Sequence, residues 1–297
     1  MDNSEKIKSP CGRFLKLDKI VGEGAYKKVY EAFDTSMGKK VAWNSIYVGN
    51  LGEKDQNLII NEIQTLHNLG NECAHIIHFY GSWYNSEKEE IVFITELASS
   101  GSIKKFRNEM KEIQMKAIKI WFFQIMKGID FLHKNNLVHR DIKAENIFIN
   151  GTTGNIIIGD LGLSFKIKKR KDNSVLGTPE FMAPETFDGN YDNKIDIYGL
   201  GMTLLEIITN ETPYLECDNV PQIWKKKTKG IFPKSLDNVE NENIKGIIKK
   251  CINFHPKKRP SIKDLLAMDF FNNTEDDTQV FSKSASEIEL NKKKSNY

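Results

Sequence analysis

The chain has 297 residues, 39% of them hydrophobic, and its 43 basic and 40 acidic residues leave a formal charge of +3. That apolar share can fill one large two-lobed domain or two small ones, and the near balance of charge excludes a strong field directed at nucleic acid or a membrane surface. Cys11, Cys73, Cys217 and Cys251 are too scattered for paired metal ligands or a disulfide framework and point to reduced thiols. No run approaches the ~20 apolar residues that span a bilayer, and the opening MDNSEKIKSP lacks the apolar stretch of a signal peptide. A cytoplasmic protein with no membrane span and no nucleic-acid partner is expected.

Residues 1–13 read as a tail. Strand-like runs follow from Phe14 to about Thr95, namely FLKLDKIV, KVYEAF, KKVAWNSIYV, IIHFYGSW and EEIVFIT, interrupted by a helical pattern near Asn57 to Leu69. They predict a small sheet with one helix. After ELASSGS at Glu96 to Ser102 the pattern turns mostly helical, as in KAIKIWFFQIMKGIDFLHK at Lys116 to Lys134 and NKIDIYGLGMTLLEIIT at Asn193 to Thr209. The junction of the two lobes is the expected place for a small-molecule site. Residues 272–297 are polar and charged, too poor in apolar surface to order themselves, and read as a tail.

Three strings carry chemistry: HRDIKAEN at His139 to Asn146, DLG at Asp160 to Gly162 and APE at Ala183 to Glu185. Transfer of a γ-phosphoryl group needs carboxylates for metal ions, a carboxylate near the incoming hydroxyl and cations along the phosphates. The strings supply each type in order: Asp141 to accept the hydroxyl proton, Lys143 to contact the moving phosphoryl, and Asn146 with Asp160 to hold Mg2+ beside ATP. GEGAYK at Gly22 to Lys27 would pass for any glycine turn by itself, but it follows strand text and precedes the other three strings. Together they resemble the protein kinases. The resemblance implies an α+β, bilobal fold over 14–271: an N-lobe, 14–95, of five antiparallel strands and one helix, a hinge at 96–98, and a mainly helical C-lobe, 99–271.

The strand that usually carries a kinase's ATP-holding lysine reads VAWN, Val41 to Asn44, whereas Lys27 stands where the glycine-rich loop usually has its third glycine. With GAYKKVY, TELASSGS, IGDLGLS, GTPEFMAPE, PYLEC and SIKDLL, this text resembles the with-no-lysine (WNK) protein kinases, whose ATP lysine lies on that loop, and Asn44 is similar to the plant-type members. The strand period gives independent support: positions two apart share a face, so Lys27 goes with Val29, Lys28 with the other side, and Ala42 with Asn44. An ammonium about 4 Å from a phosphate contributes roughly 4 kcal/mol at an effective dielectric of 20, about a thousandfold in rate, so the vacated position must be compensated for catalysis to survive.

The resemblance implies further roles. Gly22, Gly24, Val29, Ala42, Thr95 as gatekeeper, Glu96 and Ala98 of the hinge, and Phe148 beneath the ring would surround ATP, with Glu62 pairing Lys27. His139 reads as a core residue without a chemical role, Asp196 as a buried carboxylate bonded to backbone N–H groups, and Glu185 with Arg259 as a structural ion pair. Ser174 matches the autophosphorylated serine of the activation loop, where a phosphate would pair with Arg140; an ordinary loop hydroxyl is the plain alternative, as a solvated loop is for KIKKRK at Lys166 to Lys171. Chloride inhibition is a family property, and Phe79, Phe93, Leu161, Gly162 and Leu163 match its pocket at the DLG turn, although the two leucines equally suit a plain core. Ala144 and Glu145 replace the family's usual cysteine and aspartate, and the long regulatory extension of animal members is not expected.

Two readings stay open. One is a serine/threonine kinase acting on protein hydroxyls, Ste20-type kinases among its substrates and a transient dimer serving autophosphorylation, with Lys143 and Thr178 resembling that class rather than tyrosine kinases. The other, motivated by Asn44, is a non-catalytic pseudokinase scaffold that binds nucleotide.

Overall fold

A cluster of buried apolar residues drawn from several strands sets the architecture of the N-terminal part. In this computed structural model, residues 7–23, 27–49, 51–110, 113–151, 153–166, 177–189, 191–271 and 274 are described, and the chain divides into two units, 1–98 and 99–297. In the first unit, β1 (Phe14–Glu23), β2 (Lys27–Asp34), β3 (Lys39–Tyr47), β4 (Phe79–Asn85) and β5 (Glu90–Glu96) form one sheet in the order β1-β2-β3-β5-β4, antiparallel throughout. One face is dry. Phe14, Ala32, Val41, Trp43, Val92 and Ile94 are buried there together, with Tyr30, Tyr80 and Trp83 packed against them, and Trp43 meets Trp83 edge-on at 4.9 Å.

The β2–β3 turn is tied from within. The Asp34 carboxylate accepts from the backbone N–H groups of Ser36 and Met37 and from the Arg13 guanidinium at 3.0 and 2.7 Å, which holds it below the usual aspartate range. Gly38 closes the turn at φ +63°, a region open to glycine without strain. The helix between β3 and β4, α1, runs Glu53–Leu69, four residues ahead of the start expected at Asn57. Its first turn, EKDQ, carries no apolar stripe to reveal it, but Glu53 and Asp55 suit the positive end of the helix dipole.

The second unit is mainly helical: α2 (Ile103–Glu109), α3 (Met115–Lys134), α4 (Lys194–Thr209), α5 (Val220–Thr228), α6 (Glu242–Cys251) and α7 (Ile262–Leu266). Two short antiparallel ribbons accompany them, β6 (Leu137–Val138) with β9 (Phe165–Lys166) and β7 (Ile147–Ile149) with β8 (Ile156–Ile158). Every residue of α4 from Ile195 to Ile207 is buried, as expected of a helix apolar all round, so α4 is the axis on which the unit is packed. Sheet plus helix followed by a helical unit is the α+β kinase arrangement that the motifs implied. Among the described residues no helix is long and apolar enough to cross a membrane.

Two glycines report how tightly the helices pack. A Cβ at Gly201 in α4 would lie 2.6 Å from Cβ of Cys251 and 2.7 Å from Cγ2 of Ile252, whereas one at Gly246 in α6 would meet nothing within 4 Å. Gly201→Ala is therefore expected to destabilise the protein by about 1–3 kcal/mol through overpacking, and Gly246→Ala to stabilise it by about 0.5–1 kcal/mol through helix propensity. Urea unfolding of both variants checks the opposite signs.

Candidate active site

The sheet of the first unit presents most of the expected nucleotide-binding side chains on the face opposite its dry core. Gly22 pairs with Val29, Val29 with Asn44 and Asn44 with Phe93, while Ala42 pairs with Thr95 and Thr95 with Phe79. Directly opposed residues share a face, so these two rows stand side by side. Lys27, two residues before Val29, lies on the same side. Its Nζ stands 3.5 Å from the Glu62 carboxylate of α1 and 4.6 Å from the centre of the Phe93 ring. Lys28 pairs instead with Glu23 at 3.2 Å, with over half of its side chain exposed. Neighbouring lysines thus have different surroundings because the strand period is two.

Asn44 occupies the matching β3 position without charge, with its amide nitrogen engaged. It is 4% exposed, and its amide nitrogen donates to the Phe93 carbonyl at 3.2 Å and the Thr95 hydroxyl at 3.1 Å. Thr95 and Glu96 end β5, and Ala98 follows within the same unit. Gly24 lies outside the described residues.

In the second unit the loop between β6 and β7 holds a network centred on Asp141. Its Oδ1 accepts from the Thr178 backbone N–H at 3.0 Å, and its Oδ2 from Lys143 Nζ at 2.8 Å and Asn146 Nδ2 at 2.8 Å. Burial acts to raise this carboxyl, but the Lys143 charge and hydrogen bond and the His139 and Thr178 contacts outweigh it and hold it below the usual aspartate range. Lys143 also donates to the Thr178 hydroxyl at 2.6 Å. Thr178, singled out in the sequence only as a class marker, is therefore the bridge of the cluster.

Beneath it, buried groups fix the backbone. Asp196 accepts from the N–H groups of His139 and Arg140, each at 2.9 Å, and lies 2.9 Å from His133 Nε2. Burial again pushes upward, and the imidazoles and amide bonds prevail, keeping Asp196 below the normal range. His139 is wholly buried; its Nε2 meets the Gly159 carbonyl at 2.9 Å, and its Nδ1 faces the Asp141 N–H at 3.3 Å. Gly159 N–H in turn donates to the Asn146 carbonyl at 2.9 Å. These bonds place exposed Asp160 beside the Asn146 loop, in left-handed backbone at φ +56°. Glu185 and Arg259 form a two-bonded ion pair at 2.5 and 2.8 Å.

Arg140, also at positive φ, donates from Nε to the Leu163 carbonyl and from Nη1 to the Tyr191 hydroxyl at 3.0 Å; nothing in the sequence pointed to Tyr191. Ser174 and Lys168–Lys171 lie outside the described residues. Phe148 is half-buried between the buried Ile147 and Ile149 of β7, as strand alternation requires. Of the residues matched to the chloride pocket, Phe79 and Phe93 stand in the first unit, and Leu161, Gly162 and Leu163 form a single 3₁₀ turn in the second.

Residues 15–271 match the protein kinase domain family. The chain is 42% identical over 274 residues to serine/threonine-protein kinase Wnk of Drosophila melanogaster, an alignment covering 91% of this chain and 11% of that protein. It is 41% identical over 262 residues to serine/threonine-protein kinase WNK8 of Arabidopsis thaliana, covering 87% and 46%, and 39% identical over 274 residues to probable serine/threonine-protein kinase WNK5 of Oryza sativa subsp. japonica, covering 90% and 83%. The chain thus spans about a tenth of the fly protein, less than half of the Arabidopsis protein and most of the rice one. By its motifs, its fold and these likenesses, the chain belongs to the protein kinase domain family and, within it, to the with-no-lysine serine/threonine kinases.

Proposed function

We propose that the protein is an active serine/threonine kinase that transfers the γ-phosphoryl group of ATP to hydroxyls of protein substrates, with Lys27 as its ATP-holding lysine. The observation that carries this reading is the ammonium of Lys27 on the sheet face shared by Val29, Ala42 and Thr95, paired with Glu62, on the same face as a neutral Asn44 whose amide nitrogen is hydrogen-bonded. Gly22, Gly24, Glu96, Ala98 and Phe148 would complete the adenine and phosphate contacts.

Asp141 is the proton acceptor for the incoming hydroxyl. Its carboxylate is held ionised, and three donors from Thr178, Lys143 and Asn146 fix its orientation. Lys143 brings positive charge to the same point, bound between Asp141 and the Thr178 hydroxyl. Protein kinases generally require Mg2+, and the donors here suit a hard cation: Asp160 offers an exposed carboxylate, and Asn146 turns its nitrogen toward Asp141, leaving Oδ1 as the ligand atom. When bound, the metal neutralises charge developing on the phosphates.

Several finer proposals follow from family membership. The four cysteines are unpaired, which supports a reducing, cytoplasmic setting. Autophosphorylation of Ser174 within a transient dimer, a phosphate there taken up by Arg140, and Ste20-type kinases as substrates extend the family likeness to this chain, as does chloride inhibition through Phe79, Phe93, Leu161, Gly162 and Leu163.

Lys27→Met is expected to lower phosphate transfer to a generic protein by roughly a hundredfold to a thousandfold, from the loss of about 4 kcal/mol of cation–phosphate attraction. Lys28→Met should change it less than about twofold, because its partner Glu23 is a surface group. Initial-rate assays of the two variants decide the assignment; a wild type with no transfer would favour the nucleotide-binding scaffold instead. For chloride, Ser174 autophosphorylation should slow as sodium chloride replaces sodium gluconate at matched ionic strength, and equal rates would remove the halide from the account.

A further inference from the structure

Lys227 in α5 is a buried charged side chain that the phosphoryl-transfer chemistry leaves unused. It is 2% exposed, and its ammonium donates to the backbone carbonyls of Pro179, Glu180 and Met182 at 2.8, 2.9 and 2.6 Å. The rings of Tyr198 and Tyr214 lie 5.0 and 5.2 Å from the same nitrogen. Among the described residues no carboxylate pairs with it. Burial pulls such an amine well below the usual lysine range, yet three carbonyl oxygens use all three of its protons.

Those three carbonyls belong to the segment that begins at Thr178. Thr178 holds Asp141 through its N–H and Lys143 through its hydroxyl, and its own carbonyl accepts from Phe181 and Met182 at 2.9 and 3.1 Å. The segment is thus bonded at one end to the catalytic cluster and along its length to one buried ammonium. On the other side, Gly177 sits at φ +124° with the Arg140 carbonyl 3.2 Å from where a Cβ would stand, so the position before Thr178 is closed to a side chain.

We propose that Lys227 is a positioning residue for phosphoryl transfer, a buried ammonium that clamps residues 179–182 and thereby keeps Thr178 in place against Asp141 and Lys143. The proposal rests on the kinase reading above. Lys227 acts through Thr178, so its effect belongs to turnover and not to nucleotide binding, and it should shrink once the Thr178 hydroxyl no longer transmits part of it.

The test is a cycle of four full-length proteins: wild type, Lys227→Met, Thr178→Ala and the double variant. Lys227→Met should lower kcat about tenfold or more while leaving the KM for ATP within about twofold, and in the Thr178→Ala background, which removes the hydroxyl bond to Lys143 but keeps the N–H bond to Asp141, the same change should cost clearly less. Unchanged kcat, or an equal loss in both backgrounds, would overturn the proposal, the latter marking a merely structural lysine. Amide hydrogen exchange supplies a readout independent of activity: the N–H groups of Thr178, Phe181 and Met182 should exchange faster in Lys227→Met, and unaltered exchange would also overturn it. If the methionine variant does not fold, Lys227→Gln, which keeps a neutral donor, takes its place with the same expectations. A wild type without transfer activity defeats the kinase reading, and the exchange measurement then decides the clamp alone.

Discussion

A single ammonium group, set on one face of a five-stranded sheet, carries the functional account. Lys27 reaches Glu62 because strand residues alternate sides and the β2–β3 register places Val29 against Asn44. A shift of register by one residue would send Lys27 into the cluster of Trp43, Val92 and Ile94 and bring Lys28 to the other face. The dry core on the far side is therefore what specifies the position of the charge. Burial of the aromatic and branched residues selects one pairing of the strands, and that pairing aims the lysine.

Asn44 fits that proposal. A buried lysine at its position would need an anionic partner or phosphate to offset desolvation, whereas the amide satisfies itself on the Phe93 carbonyl and the Thr95 hydroxyl. The site thereby keeps a polar side chain where the lysine usually stands and gains a packed, neutral floor. The second unit follows a similar logic with buried charge. Asp196, fully enclosed in α4, is tolerable because His139 and Arg140 give it their backbone N–H groups and His133 an imidazole. In return it pins the turn that presents Asp141.

Much of this was legible in the sequence, and the reasons differ by element. The strands and the long helix α3 were readable from periodicity, α4 from the length of its apolar run, and Lys27 and Lys28 could be sorted by parity because the strand period is strict. The start of α1 was not readable, since EKDQ lacks an apolar stripe. Asp196 and the Glu185–Arg259 pair were anticipated, being charges set in apolar or motif text. Thr178 as a bridge, Tyr191 beside Arg140 and the burial of Lys227 were invisible, because each depends on contacts between segments far apart in the chain. Lys227 in particular stands in WKKKTKG, a string that reads as a solvated charged face; only the packing of α5 against residues 179–182 separates it from its neighbours.

The most direct test of the central claim is a crystal structure of the protein with magnesium and a non-hydrolysable ATP analogue. The account predicts the Lys27 ammonium within about 4 Å of a phosphate oxygen, with Glu62 still beside it and Asn44 making no phosphate contact. A complex in which Lys27 points into solvent while Lys28 or another cation meets the phosphates would contradict it.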